Sequence, residues 1–408
     1  MPFDLAAEPW WSVGLSVLAV GALVVFGGRR DVLAYLGAYF LLFGFGPVVS
    51  YLLGGTIYFG TNTLLIGRAS LGLLLAFTGV LAAGLLIRQR RDLVDPLTAP
   101  ATRRLPLVPV VLAVLALYAV GVLAWGGPAF LAGTKLDRIA AAGPAHYDFL
   151  LLEMCACALY FVAHETATGR LAYRANLGAY ILYCLMTGER DFVFVLFALV
   201  LHRELVRAPG THRAVPRPVF WGAALAVGAT ALFTLRGDAA GGGSDALSLL
   251  NQGSVLFVDT WVMSHVPTVE AYQHGASYAH ALLNLIPGHK QTPLAEWLVN
   301  RYAPGSSSGY GFSLTGEAYL NFGLLGIPVL FATLAAAHRL LVNRIDRAPV
   351  YAYASLLLTV AWMYGFRGES QSLIKTCVYG ALFYAVIRIV SVRIPEPVEE
   401  EALECASS

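Results

Sequence analysis

Charge is what this chain has least of. Only 13% of its 408 residues are Asp, Glu, Lys or Arg, against 58% hydrophobic, where soluble domains carry about 25% charged residues. That shortage excludes a large water-facing domain. Cysteine is sparse too: Cys155, Cys157, Cys184 and Cys377 lie in apolar stretches and Cys405 in the tail, so no disulfide framework is implied. Cys155-x-Cys157 has the wrong spacing for a zinc knuckle and reads as small hydrophobes in a helix. No Gly-x-x-x-x-Gly-Lys-Ser/Thr loop is present, so ATP-driven pumping is not indicated. Neither His-Glu-x-x-His nor Asp-x-Asp occurs, and His274 and His280 do not have a recognised metal spacing. No metal or other cofactor is therefore expected. Residues 1–9 hold Asp4 and Glu8 but no Lys or Arg, so the first apolar run is expected to stay as a helix rather than be cleaved as a signal. The net charge of +2 says little about partners, and no nucleic-acid partner is expected.

What the chain does have is apolar runs near 20 residues along its whole length, enough to cross about 30 Å of hydrocarbon. The expected class is an all-α, polytopic integral membrane protein. Spans fall near 10–27, 32–53, 69–87, 106–125, 148–164, 171–187, 191–206, 219–235, 314–338, 350–366 and 371–389. Arg170 and Arg174 precede the sixth and seventh runs, and Arg203, Arg207, Arg213 and Arg217 follow them. Both flanks then read as cytoplasmic, so the chain crosses twice between them. Eleven spans put the N-terminus outside and 18 of the 27 Lys and Arg inside. The expected organisation is membrane helices over 1–235, a long outer segment over 236–313, further membrane helices over 314–390 and an acidic cytoplasmic tail over 391–408. In the outer segment, Leu247, Leu250, Leu256, Phe257, Trp261 and Met263 predict a helix lying against the membrane or the bundle. Residues 292–302 predict an amphipathic helix, and 303–311 a Gly/Ser turn.

The few charges are unevenly placed. Glu189-Arg190-Asp191 interrupts two apolar runs, where ionisable groups usually face a cavity or a partner. Arg236-Gly-Asp238 begins at the outer end of the eighth span, Glu317 at the outer start of the ninth and Arg367-Gly-Glu369 at the outer end of the tenth. Lys375 lies just inside the eleventh. Four separate segments thus deliver both signs of charge to one leaflet, as if lining a polar cavity open to the outside. The plainer explanation is that such residues anchor helix ends, that Glu317 answers the helix dipole, and that Arg–carboxylate pairs brace the bundle. Outer arginines oppose the positive-inside trend, which favours a functional role. Arginine forks hold phosphate in bidentate fashion, positive charge steadies a departing pyrophosphate, and a carboxylate accepts a hydroxyl proton. The pattern predicts glycosyl transfer from a lipid-linked sugar. Any of His265, His274, His280 and His289 is open to sugar or phosphate binding.

The stretch GYGFSLTGEAYLNFGLLGIPVLF at 309–331 resembles the signature of the Wzy-type O-antigen and capsule repeat-unit polymerases. There a Gly-x-Gly-x-Ser segment leads into Glu-Ala-Tyr-x-Asn-Phe-Gly-x-x-Gly. The matching positions are Gly309, Gly311, Ser313, Glu317, Ala318, Tyr319, Asn321, Phe322, Gly323 and Gly326. GASYAHALLNLIPGHK at 275–290 is similar to the family's Gly-x-Ser-Tyr…Ile-Pro element, with Pro-Gly-His at 287–289 where many relatives have Pro-Arg. The resemblance implies a GT-C-like helical layout in the bacterial inner membrane. It implies an enzyme that joins undecaprenyl-pyrophosphate-linked oligosaccharides at the outer face, into O-antigen or into capsular or exopolysaccharide. Partners would be the lipid bilayer and the flippase and chain-length regulator of the same pathway. Residues and resemblance together point to Glu317, Arg190 and Arg367 as catalytic. Arg236, Lys375, Glu189, Asp191, Glu369, Asn321, Tyr319, Ser313 and His289 would bind substrate. Arg190, Arg236 and Arg367 would hold pyrophosphate, Glu317 would serve as the base or hold the acceptor sugar, and Tyr310, Tyr319 and Trp297 either stack on sugars or sit as interface aromatics. Three alternatives stay open: an O-antigen ligase moving finished polymer to a lipid core, a lipid-linked oligosaccharide transporter, and a structural partner in an export complex.

Overall fold

A computed structural model describes residues 9–28, 30–55, 57, 60–90, 93, 105–131, 135–189, 191–206, 255–286, 288–302 and 311–393. Among these residues all regular structure is helical. Seven helices are long and apolar enough to cross a membrane: Pro9–Gly27, Val32–Leu52, Thr63–Leu86, Leu107–Phe130, Leu314–Val342, Pro349–Phe366 and Ser370–Ser391. The chain is thus of the polytopic helical membrane class. Of the remaining expected spans, 219–235 lies outside the described residues. The run at 148–164 is divided into His146–Cys157 and Tyr160–Ala163. Ala167–Thr187 carries polar residues from Arg170 to Asn176, and Asp191–Leu205 has 15 residues, about 22 Å of helix against a core of about 30 Å. Gly188 separates the last two helices in a left-handed conformation, φ 83°, its N–H bonded to Cys184 O. The two are therefore separate helices rather than one bent helix.

Small residues let the central helices touch. A Cβ built on Gly79 would lie 2.3 Å from the Pro328 carbonyl oxygen, so Thr63–Leu86 and Leu314–Val342 meet backbone to backbone there, a contact open only to the smallest residues. Beside this seam an aromatic core joins three helices. Phe40 stacks on Phe366 at 4.5 Å and packs on Trp362 at 5.2 Å, with Phe331 edge-on at 6.1 Å. The expected helix in the long segment forms over Val255–His265, and Val255 to Met263 are all buried. It lies within the bundle. Leu294–Tyr302 buries Leu294, Leu298 and Val299, the amphipathic pattern read from the sequence. Leu247, Leu250 and residues 303–310 fall outside the described residues.

One end of the bundle is stapled by buried charge. Asp31 caps Val32–Leu52 by accepting from the Leu33 and Ala34 N–H groups at 2.9 and 3.2 Å. Its other oxygen takes a guanidinium nitrogen of Arg339, and both residues are fully buried. Gln89 Oε1 accepts from Arg339 and, at 3.0 Å, from the Val32 N–H, while its Nε2 donates to Arg30 O at 2.8 Å. Arg90 meets Asp346 at 3.0 Å nearby. Breaking a buried ion pair strands the surviving charge at a cost of about 3–5 kcal/mol. Arg339→Met is accordingly expected to lower the thermal midpoint of the detergent-solubilised protein strongly. Adding Asp31→Asn in the same chain should restore part of the loss, measured by the same melt.

Candidate functional site

The site is organised by the helix that carries the sequence signature. Ser313 caps it, accepting from the Gly316 N–H at 2.9 Å and donating to Asp259 at 2.5 Å. Thr315 donates to the same carboxyl at 2.8 Å. Burial pushes Asp259 up to about 6, with the two hydroxyls and the Gly316 N–H pulling the other way. The start of Leu314–Val342 is thereby fixed to Val255–His265.

Eight residues in, the helix breaks. Phe322 leaves the helical region and Gly323 takes φ 65°, a conformation open to glycine at little cost. A break of this kind frees carbonyls that would otherwise bond four residues on. Leu320 and Asn321 O accept instead from Gln273 and His274 N–H at 3.0 and 3.1 Å. The Asn321 side chain continues the seam. Its oxygen accepts from the Gly275 N–H at 2.8 Å, and its Nδ2 donates to Ser277 Oγ at 2.7 Å and to Glu317 O at 2.8 Å. Ser277 donates to Glu317 Oε1 at 2.7 Å. Ser370 completes the set, its hydroxyl donating to Oε1 at 2.7 Å and its N–H to Oε2 at 2.6 Å. Glu317 is 1% exposed. The two stretches that carry the resemblance, within 275–290 and 309–331, therefore meet where Gly275 and Ser277 bond Glu317 and Asn321.

From Ser370 the chain leads directly to the other charged groups. Glu369 accepts from the Leu294 N–H at 2.6 Å, which ties the first residue of Leu294–Tyr302 to this corner. Burial pushes the Glu369 carboxyl up to about 7. The Leu294 N–H and Lys375 work against that rise and Glu317 adds to it. Lys375 is half-buried. Arg367 lies over the Phe43 ring at 5.3 Å, a cation–π arrangement. Its Nε is buried without a hydrogen-bond partner among the described residues. The charge of Arg367 reaches Asp191, which also lies in the fields of Glu189 and Lys135. Glu189 takes Lys135 Nζ at 2.8 Å on one oxygen and faces His146 Nε2 at 3.4 Å with the other. His146 Nδ1 sits 2.9 Å from Tyr183 OH. Burial pushes Glu189 up, but His146 and Lys135 outweigh it and hold the carboxyl below its ordinary range.

Tyr319 accepts from Arg68 at 2.6 Å and donates to Val266 O at 3.3 Å. His289 is exposed and is not bonded to Glu317 or Glu369. Arg190, Arg236 and Tyr310 lie outside the described residues. Among the described residues no group of three His, Cys, Asp or Glu is gathered as for a metal.

Sequence reasoning missed Lys135, Arg68 and the part played by His146. A signal for the two cations was present: on the eleven-span topology both are outer basic residues, against the positive-inside trend, like Arg190 and Arg367. Ser277 falls in the Gly-x-Ser-Tyr element at 275–278, which did not reveal its partner, and Ser370 carries no signal.

Residues 262–395 match the family model described as O-antigen polysaccharide polymerase Wzy. The match covers Ser277, Glu317, Asn321, Arg367, Glu369 and Ser370, and it bears out the resemblance read from 309–331. No curated protein and no solved structure matches the chain.

Glu369 generates a pH prediction. Its carboxyl is held near 7 in the folded protein against about 4.3 when free, so between those values the folded state binds the extra proton. Stability is then highest at low pH and falls as pH rises through 7. Melts of the solubilised protein between pH 5 and 8 should show that decline, and Glu369→Gln should flatten it.

Proposed function

We propose that the chain is a glycosyltransferase of the bacterial inner membrane that polymerises lipid-linked oligosaccharide repeat units at the outer face. A hydroxyl of one lipid-linked unit attacks the anomeric carbon of the glycan held on another lipid pyrophosphate. The anomeric carbon–oxygen bond breaks, the polyprenyl pyrophosphate leaves, and a carboxylate takes the hydroxyl proton. The family match over 262–395 supports the polymerase class. Outer placement rests on the positive-inside count, with Arg90, Arg339, Arg344 and Arg388 on the inner side and Glu317, Arg367 and Glu189 on the outer.

The observation that carries the reading is Arg367. It is a permanent cation with a buried N–H lacking an acceptor among the described residues; it lies three residues before Ser370 of the Glu317 corner, and its charge reaches Asp191. Leaving a buried donor unmade costs about 1–3 kcal/mol, and a pyrophosphate oxygen would complete the set while steadying the charge of the leaving group. Lys135 adds positive charge from the Glu189 side. Arg190 and Arg236 are assigned the same phosphate-holding role from their place in the sequence. Both Glu317 oxygens already accept from three donors, which favours a positioning role over that of the base. Glu317 would hold Ser277 and Ser370 in register with Arg367. Asp191, in the field of Arg367, is the carboxylate assigned to the proton. Asn321, Tyr319, Ser313 and Lys375 would shape the acceptor pocket, Glu369 would fix its edge, and His289 would act at its periphery.

The test is complementation of a host lacking the gene, followed by gels of surface and lipid-linked glycan at matched membrane expression. Arg367→Ala is expected to cut transfer by about 10²–10³-fold, the usual weight of a group stabilising developing charge, leaving single repeat units without a ladder. Asp191→Asn should do the same. Glu317→Gln should lower thermal stability as well as transfer. A full-length ladder stranded on the carrier lipid would mean a ligase, and wild-type ladders from Arg367→Ala would make the cluster structural bracing.

A further inference from the structure

At the end of the molecule that carries Arg339 and Arg90, Pro349–Phe366 and the last helix leave a groove between them. It encloses about 770 Å³ and is lined by Leu341, Tyr353, Leu357, Cys377, Ala385 and Arg388, among others. The walls are apolar in effect as well as in name. Tyr353 stacks on Tyr384 at 4.8 Å and its hydroxyl is closed onto Gly380 O at 2.9 Å, so the phenol offers the groove a carbon face. Leu382, Val386 and Ile389 beside it are exposed, as on a helix that faces hydrocarbon.

Its length is that of a single leaflet. Cys377 and Arg388 are eleven residues apart on one helix, about 16 Å at the helical rise, and half of a bilayer's hydrocarbon core is about 15 Å. A partner's transmembrane helix needs a seat along the full thickness of the core. A groove that stops at Leu357 and Cys377 instead fits the chains of a lipid in one leaflet. The open end is cationic. Arg388 is exposed at the mouth, and the adjoining helix end carries Arg344 and Arg347, while the nearby Asp346 is held by Arg90. The facing acid is Glu165, whose charge reaches Tyr384 together with that of Arg388. Among the described residues, these three arginines against the Glu165 carboxyl leave the rim positive.

We propose that this groove binds an anionic phospholipid of the leaflet on the Arg388 side, with its acyl chains against Tyr353, Leu357 and Ala385 and its phosphate at Arg388. The site stands apart from the transfer reaction at the opposite end and does not depend on it. The test is intact-mass spectrometry of the full-length protein in mild detergent with equal phosphatidylglycerol and phosphatidylcholine. Wild type should retain phosphatidylglycerol in preference. Arg388→Ala should weaken that retention about fivefold, the weight of one arginine at an anionic surface, and leave phosphatidylcholine unchanged. Ala385→Trp fills the groove from an exposed position and keeps Arg388, and it should lose both lipids at an unchanged thermal midpoint. Equal retention of the two lipids by wild type, or phosphatidylglycerol retention untouched by both variants, would overturn the proposal. So would a wild-type dimer that Ala385→Trp dissociates with no change in bound lipid, because a second copy would then cover the groove.

Discussion

The carboxylate of Glu317 is the point on which the rest of the site depends. It gathers donors from Ser277 and Ser370, segments separated from it by some forty to fifty residues. In the hydrocarbon region polar groups find no water and must be satisfied within the protein. An acid placed early in a membrane helix therefore dictates what packs against it. The break at Phe322–Gly323 extends the same logic to the backbone. Two carbonyls released by the broken helix are closed by Gln273 and His274, and Asn321 closes Gly275. Once those bonds are made, the Ser370 end of the last helix and the Arg367 turn before it have little freedom left.

The two ends of the bundle use charge differently. At the Asp31–Arg339–Gln89 end the cation is ion-paired to a carboxylate and both charges are fully buried, which suits bracing. At the other end cations are spread over several segments: Arg367 beside Phe43, Lys135 on Glu189 and Arg68 on Tyr319. Arg339 and Arg367 each keep a buried Nε without a hydrogen-bond partner among the described residues, but Arg339 has a carboxylate partner whereas Arg367 lies over a ring. That difference in pairing suits the proposed handling of an anionic, lipid-borne substrate from one side.

Much of this was legible in the sequence where the signal is local. Long apolar runs mark the seven helices able to cross a membrane among the described residues. Gly188 marks the turn between Ala167–Thr187 and Asp191–Leu205, and the 309–331 stretch marks a resemblance that the family-model match over 262–395 bears out. The rest was hidden because its partners are distant. Nothing near Ser277 or Ser370 says that both meet Glu317, and nothing in Asp31 points to Arg339, some three hundred residues on. The division of 146–163 into two helices was missed because an apolar run looks the same whether or not it bends. The burial of Val255–His265 was left open for a similar reason: a helix apolar on most sides suits a membrane surface and a bundle interior alike.

The most direct measurement is reconstitution of the purified full chain in liposomes with lipid-pyrophosphate-linked repeat units as the sole substrate. Product length and released polyprenyl pyrophosphate would be followed together. The account predicts a growing polymer, one pyrophosphate carrier released for each new linkage, and near-complete loss of both with Arg367→Ala. It would be contradicted if the protein left the units unjoined yet moved preassembled polymer to a lipid-core acceptor. Unchanged polymer from Arg367→Ala would contradict it as well.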